Sequence, residues 1–339
     1  MGFLNQPDAG ALVARGAEQA ELHARAGAAT RARFGSRVFV RGVVEISNYC
    51  REDCSYCGMR RSNRALDRFR ARHDQLAEAL IGHRPAGMTD VNIQAGEDPV
   101  AVREVAIPLV RTLRRETPLG VSVCFGTLEE ALYDELQAEG ATVYIMKFEI
   151  ADPAHYEQAK APGTLAERLR HIRLLAERGW RVSSGFIAGL PGQGVDGLLR
   201  NLRLAQELPL DGCSVSPFIP GEATPLARSP MGELGLTLNC VAALRLLRPE
   251  LVIPAVSALN LAGADDGYQR GLRAGANLCT INLTPPNLRD DYLLYKRDRF
   301  IMNEERVLAA IAAEGLTVSP TSLTEHWRAA PSLASLAAN

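Results

Sequence analysis

Val38-Phe39-Val40-Arg41-Gly42-Val43-Val44-Glu45-Ile46-Ser47-Asn48-Tyr49-Cys50-Arg51-Glu52-Asp53-Cys54-Ser55-Tyr56-Cys57 joins a β-branched, mostly apolar run to a loop carrying three cysteines. Val38–Ile46 is expected to be a strand, because branched residues in a run of this length fit a pleated, buried surface. The loop has the spacing C-x3-C-x2-C. Three thiolates on so short a loop can converge on one inorganic group, and soft thiolates select zinc or iron–sulfur. A structural zinc wants four protein ligands. No fourth Cys or His lies nearby, the next histidine being His73. A four-iron cluster held by three thiolates leaves one iron open to an outside ligand, which catalysis needs and electron storage does not. Cys50, Cys54 and Cys57 are therefore the expected metal ligands. A structural or redox cysteine cluster is the other reading of the same residues.

Working outward, seven further runs read as strands: 91–94, 120–125, 142–148, 181–187, 212–217, 251–254 and 277–282. Helical patterns at 161–177, 195–207, 237–247 and 267–274 lie between them. Strands alternating with helices of this length indicate βαβ units and a parallel sheet. Eight such units predict a closed α/β (β/α)8 barrel of the TIM type, with reactive residues in the loops that follow the strands. Residues 8–33 are rich in Ala and Arg and read as one or two N-terminal helices. The expected division is 1–36 as an N-terminal helical segment, 37–302 as the barrel, and 303–339 as a C-terminal helix and tail.

Composition narrows the class. Of 339 residues, 47% are hydrophobic, enough for a sizeable core. Net charge is −1, from 38 Lys and Arg against 39 Asp and Glu, with no basic tail, so neither nucleic acid nor an anionic membrane is the expected partner. The chain opens without a basic segment followed by an apolar one. It contains no run of about 18 apolar residues. Seven cysteines are an odd number, three of them crowded into one loop, which argues for a metal site in a reducing cytoplasm rather than a disulfide scaffold.

Other short segments support the cysteine loop. Tyr56 stands just before the third cysteine. Gln94-Ala95-Gly96-Glu97-Asp98 ends the second expected strand, and Glu149 ends the fourth. Arg168 lies 19 residues beyond Glu149, on the next helix. Gly185-Phe186-Ile187-Ala188-Gly189-Leu190-Pro191-Gly192-Gln193 follows the start of the fifth strand. Taken with the cysteines, this set resembles the radical S-adenosylmethionine (SAM) superfamily, over roughly residues 37–296. The resemblance implies a [4Fe–4S] cluster on Cys50, Cys54 and Cys57 whose open iron chelates the amino and carboxylate groups of SAM. It implies reductive cleavage to a 5′-deoxyadenosyl radical, with the electron supplied by an external donor such as flavodoxin or ferredoxin. It assigns Tyr56, Gln94, Gly96, Glu97, Glu149, Arg168 and Ile187 to SAM. Gly96 and Glu97 would hold its ammonium, with Ala95 in place of the family's first glycine. Glu149 would take the ribose hydroxyls, Arg168 the carboxylate, and Ile187 the adenine face.

Arg41-Gly42-Val43-Val44-Glu45-Ile46-Ser47-Asn48-Tyr49-Cys50 is similar to the branch containing the [FeFe]-hydrogenase maturase, 3-methylornithine synthase and, more distantly, biotin synthase. Pro217–Ala227, Ile253–Leu259 and Ala274–Asn277 look most like the maturase, as do Asn282–Pro285 and Tyr292–Tyr295. The departures concern the substrate end. Lys147 stands where the maturase has an arginine, and a point charge is not a planar fork. Val256-Ser257 replaces a Thr-Thr pair, and Gly221-Glu222 replaces a histidine. Lys147 and Ser257 are the expected substrate contacts, with Thr284, Arg289, Tyr292 and Tyr295 as further candidates. Cys124, Cys213 and Cys279 are expected to be core packing. The expected activity is radical chemistry on a small substrate inside the barrel, in cofactor maturation or related biosynthesis. A 3-methylornithine-type rearrangement of an amino acid is the alternative enzyme. An iron–sulfur carrier or assembly scaffold is the alternative of another class.

Overall fold

The computed structural model describes residues 6–263, 265–296 and 301–329. Seven strands form the wall: β1 (Arg37–Ser47), β2 (Asp90–Ala95), β3 (Gly120–Cys124), β4 (Val143–Ile145), β5 (Arg181–Ala188), β6 (Gly212–Pro217) and β7 (Leu278–Asn282). All pair in parallel, in the order β6-β5-β4-β3-β2-β1-β7. Helices such as Leu165–Glu177, Val195–Glu207 and Leu234–Leu247 lie between the strands in sequence. The alternation read from the sequence is thus a barrel of the expected class.

The run expected as a strand at 251–254 is the eighth stave, but only single bridges hold it: Gly212 to Val252 on one side and Pro254 to Leu278 on the other. Pro254 has no N–H to extend a ladder. Side chains replace the missing bonds. Asn277 Oδ1 accepts from the Ile253 N–H at 2.8 Å. The buried Arg245 guanidinium donates to the carbonyls of Leu251, Pro249 and Gly275 and to Asn277 Oδ1. Burial lowers the Arg245 pKa to about 9. A buried cation is tolerated when its donors are satisfied in this way.

β4 is also shorter than the expected run. Beyond Ile145 the Ser184 hydroxyl enters the ladder, donating to Met146 O at 2.8 Å and accepting from the Phe148 N–H at 3.3 Å. The chain then turns at Glu149, whose φ is 62°.

Alternation along the strands sorts the side chains. On β1, Val38, Val40, Val44 and Ile46 join the core between wall and helices. Phe39, Arg41, Val43 and Glu45 point inward, Phe39 into a floor cluster and the other three into a cavity. Val143, Val252, Leu278, Leu323 and Trp327 complete the floor. Leu323 and Trp327 come from the 303–339 stretch, which contributes more than the expected helix and tail. After helix Glu304–Ala313, a two-residue strand, β8 (Thr317–Val318), pairs with the start of β1. The short helix Leu323–Ala329 then closes the barrel bottom, where the Leu323 N–H donates to the Asp90 carboxylate at 3.0 Å. Residues 330–339 lie outside the described residues. Among the described residues, no helix is long and apolar enough to cross a membrane.

Candidate active site

The cysteine loop leaves the top of β1 and is held by side chains bonded to its backbone. Asn48 Nδ2 donates to Asp67 O and Asp291 O, both at 2.7 Å. The Arg68 guanidinium donates to the carbonyls of Asn48, Met59, Arg60 and Asn63. Arg60 grips Asp53 through two bonds of 2.9 and 2.6 Å, which holds that carboxyl well below the usual range. Gly96 is where the second strand end meets this loop. A Cβ there would lie 2.2 Å from Tyr49 O and 2.8 Å from Cys50 Cβ, so only glycine allows the approach. The next residue's N–H points at Cys50 Sγ, at 3.3 Å.

Two chambers occupy the barrel. The outer one, about 220 Å³, is lined by Cys50, Cys54 and Cys57 together with Tyr56, Gln94, Gly96, Glu97, Glu149, Arg168 and Ile187. Every residue expected to touch cluster or SAM therefore faces one space. The inner chamber, about 170 Å³, is lined by Arg41, Glu45, Asn92, Ser183, Ser214, Ser257, Thr280 and Asn282, among others. Lys147 lines both, as do Gln94, Cys124, Ile145, Ser216, Leu294 and Tyr295, so the chambers share a wall. Most TIM barrels fill this level with branched apolar side chains. Here the inward positions of β5 and β6 are Ser183, Gly185, Ser214 and Ser216, which are too small to fill it. Even Gly185 is required, since a Cβ there would meet Ser214 Oγ at 2.1 Å and Lys147 Cδ at 3.2 Å.

Electrostatics differ between the acids. Glu97 is buried and fully engaged: Arg168 Nη2 is 2.7 Å from one oxygen, and Arg51 Nε (3.2 Å) and Thr127 Oγ1 (3.1 Å) reach the other. Burial alone would lower the Arg168 pKa, but Glu97 and Tyr156 outweigh it and raise it. Glu97 and Arg168, expected to grip the ammonium and the carboxylate of SAM, thus grip each other. Glu149 is different. Its Oε2 is buried and has no hydrogen-bond partner among the described residues, while its other oxygen stands 3.9 Å from Lys147 Nζ. The charge on Glu149 raises the Lys147 pKa against the effect of burial. Burial pushes all three cysteine thiols up, Cys57 to about 12.

Ser257 lines the inner chamber and not the outer one that holds Cys50, Cys54 and Cys57. Thr284 and Arg289 line neither chamber; the Thr284 hydroxyl accepts from the Glu45 N–H, and Arg289 donates to Thr284 O. Tyr292 is buried with Met59, Leu66 and Leu293 at the rim. Packing describes Cys213 and Cys279, both wholly buried. It does not describe Cys124, which faces both chambers. Sequence reasoning missed Arg41, Glu45, Asn92 and Asn282. Each is a polar residue at an inward position of its strand, a signal visible once the strand's inward face is known.

The residues suit the groups implied for them. Four observations bear on this: the three thiols are free and line one cavity. Among the described residues, no three His, Cys, Asp or Glu side chains are grouped to hold a single metal ion. Three thiolates on one loop suit a cluster, where each takes a different iron, whereas a structural zinc wants a fourth protein ligand. Tyr56 Oη, Glu149 Oε2 and Arg168 Nε are buried there with no hydrogen-bond partner among the described residues, polar atoms open to a polar ligand. Raised thiol pKa values mean that cluster binding must release protons.

The sequence profile of the radical SAM superfamily matches residues 44–205. The [FeFe] hydrogenase maturase subunit HydE of Thermotoga maritima is 33% identical over 261 residues, 77% of this chain and 74% of that protein. The 3-methylornithine synthase of Methanosarcina acetivorans is 27% identical over 296 residues, 86% of this chain and 83% of that protein. The crystal structure of methylornithine synthase (PylB) superposes with a TM-score of 0.82 at 24% identity, covering 96% of each chain. The chain belongs to the radical SAM superfamily, and is an enzyme of the kind that uses a [4Fe–4S] cluster and S-adenosylmethionine.

Proposed function

We propose that this enzyme acts on a small polar substrate held in the inner chamber beside SAM in the outer one, in a HydE-like step of cofactor maturation or a related biosynthesis. The observation that carries this reading is the shared wall at Lys147, Cys124 and Tyr295, across which the two spaces meet. When bound, the cluster and SAM supply a 5′-deoxyadenosyl radical. Cys50, Cys54 and Cys57 ligate the cluster. Gly96 admits the methionyl end close to the backbone. Glu149 offers its unpartnered oxygen to the ribose hydroxyls, and Ile187 packs on the adenine. Arg168, locked by Glu97, presents its remaining N–H groups to a carboxylate. Lys147 and Ser257 hold the substrate. The floor made by Phe39, Leu323 and Trp327 keeps water from below, which protects a reactive radical.

HydE at 33% identity supports the maturation reading. One observation favours the amino-acid rearrangement instead. Arg41 and Glu45 share the inward face of β1, four residues and roughly 13 Å apart, so the chamber offers a cation and an anion at two heights. A substrate bearing both an acid and an amine suits that spacing.

The test is anaerobic reconstitution, reduction, and incubation with SAM and deuterium-labelled candidate substrates. Deuterium entering 5′-deoxyadenosine identifies the substrate. Transfer from amino acids but not from other small anions would select the rearrangement. A chain that binds four irons and yields no 5′-deoxyadenosine is a carrier, and the enzyme mechanism above is then wrong.

A further inference from the structure

The seven cysteines fall into three kinds. Cys50, Cys54 and Cys57 share the loop, while Cys213, Cys240 and Cys279 are 0% exposed inside the main hydrophobic core. Cys124 belongs to neither set. It ends β3, is only partly buried, and lines the inner and outer chambers alike. Strand pairing sets it level with Gln94, which also lines both chambers. Its thiol is free and makes no hydrogen bond among the described residues. Burial raises its pKa against the pull of Lys147, so the sulfur keeps its hydrogen at neutral pH.

The space this thiol faces is built for ligands on both sides. Arg168, 3% exposed, lines the outer chamber with an Nε that has no hydrogen-bond partner among the described residues. On the inner side, the small side chains of Ser183, Ser214 and Ser216 leave the chamber open. A hydrogen atom moving between occupants of the two chambers crosses the wall on which Cys124 stands.

We propose that Cys124 is a catalytic residue, the hydrogen-atom donor to a carbon-centred radical formed at the shared wall. That role rests on the reading proposed above, with SAM in the outer chamber and substrate in the inner one. An S–H bond is weaker than the C–H bond that replaces it, so the transfer runs downhill, whereas the O–H bonds of the neighbouring serines are too strong to give. The S–H bond breaks homolytically, the C–H bond forms, and a thiyl radical stays on Sγ. One electron from the low-potential one-electron reductant that the cluster also needs, with one proton from water, restores the thiol. A reaction that ends in this way consumes SAM, since the first hydrogen leaves with 5′-deoxyadenosine and the last arrives from solvent through sulfur.

The experiment needs no substrate. The reconstituted holoenzyme, freed of small thiols and equilibrated in deuterium oxide, is reduced with dithionite and given SAM. With no substrate in the inner chamber, the radical takes its atom from the nearest weak bond, and S–D on Cys124 is the exchangeable one. Wild-type 5′-deoxyadenosine should gain one mass unit. Cys124→Ser keeps the shape and should lose about ten-fold in label per 5′-deoxyadenosine formed, because a positioned donor is gone. Label is counted per product, so a slower variant still reports. Tyr295 also lines both chambers, and its phenol exchanges with solvent. Tyr295→Phe should keep the label. Unlabelled product from the wild type, or label retained in Cys124→Ser, overturns the donor assignment alone. A second readout uses the cluster-free chain: iodoacetamide under native conditions should mark Cys124 and spare Cys213 and Cys279. Equal protection of all three overturns the place of Cys124 on the wall. A wild-type chain that yields no 5′-deoxyadenosine at all removes the enzyme reading, and the donor with it.

Discussion

The outer and inner chambers share a wall but are built differently. The outer chamber is made of loops at strand ends: the cysteine loop, the turn at Gly96 and the kink at Glu149. Its residues come in short runs with fixed spacing. The inner chamber is made of single side chains at inward positions of several strands, such as Arg41, Asn92, Ser183 and Thr280. Its partners are distant in sequence and meet only because the barrel closes. A cofactor site common to many enzymes can be carried by local motifs, whereas a substrate site on the same scaffold is drawn from residues with no mutual spacing.

That contrast can be broken at several points. The largest effect is expected from Cys54→Ala, which should abolish cluster binding, read as iron per chain; normal four-iron content would remove the outer chamber's assignment. Lys147→Ala should lower substrate-dependent turnover by about a hundred-fold, ~2.7 kcal/mol, while SAM cleavage without substrate persists. Equal losses in both assays would place Lys147 with the outer chamber alone. Glu149→Gln should weaken SAM by about ten-fold, ~1.4 kcal/mol, with iron content intact. Unchanged affinity in an equilibrium binding assay would mean that the unpartnered oxygen does not meet the ribose.

A change in stability rather than in activity tests the floor. Burial raises the Asp90 pKa to about 6, despite the Leu323 N–H and the Thr89 hydroxyl, which donate to it and favour its charge. The folded chain then binds the proton more tightly than the unfolded one, so this carboxyl's contribution is present at low pH and is lost as pH rises through 6. Asp90→Asn, which can still accept from Leu323, should gain on the wild type by ~2 kcal/mol between roughly pH 4.5 and 7.5. Denaturant unfolding at the two pH values checks this. A constant difference would show that the floor does not feel the charge.

Much of the outer chamber was legible because its chemistry is local. Cys50, Cys54 and Cys57 announce themselves by spacing, and Gly96 and Glu149 by their places at strand ends. The pairing of Glu97 with Arg168 was not legible, because the two are 71 residues apart and approach only when the Leu165–Glu177 helix packs beside the second strand's end. Cys124 looked like its buried counterparts Cys213 and Cys279. Only strand register shows that it faces inward while they face the helices. The weakly paired stave at 251–254 was visible as an apolar run, but its dependence on Arg245 and Asn277 was not.

By itself the sequence determined the alternation of strands and helices, and with it a barrel, since apolar periodicity is a property of neighbouring residues. It also determined the thiolate loop, whose ligands are close in the chain before folding begins. Only the tertiary structure decided which polar side chains meet inside the barrel, that small residues on β5 and β6 leave room there, and that a C-terminal helix seals the bottom. Those facts depend on strand register and closure, which bring together residues that no local pattern connects.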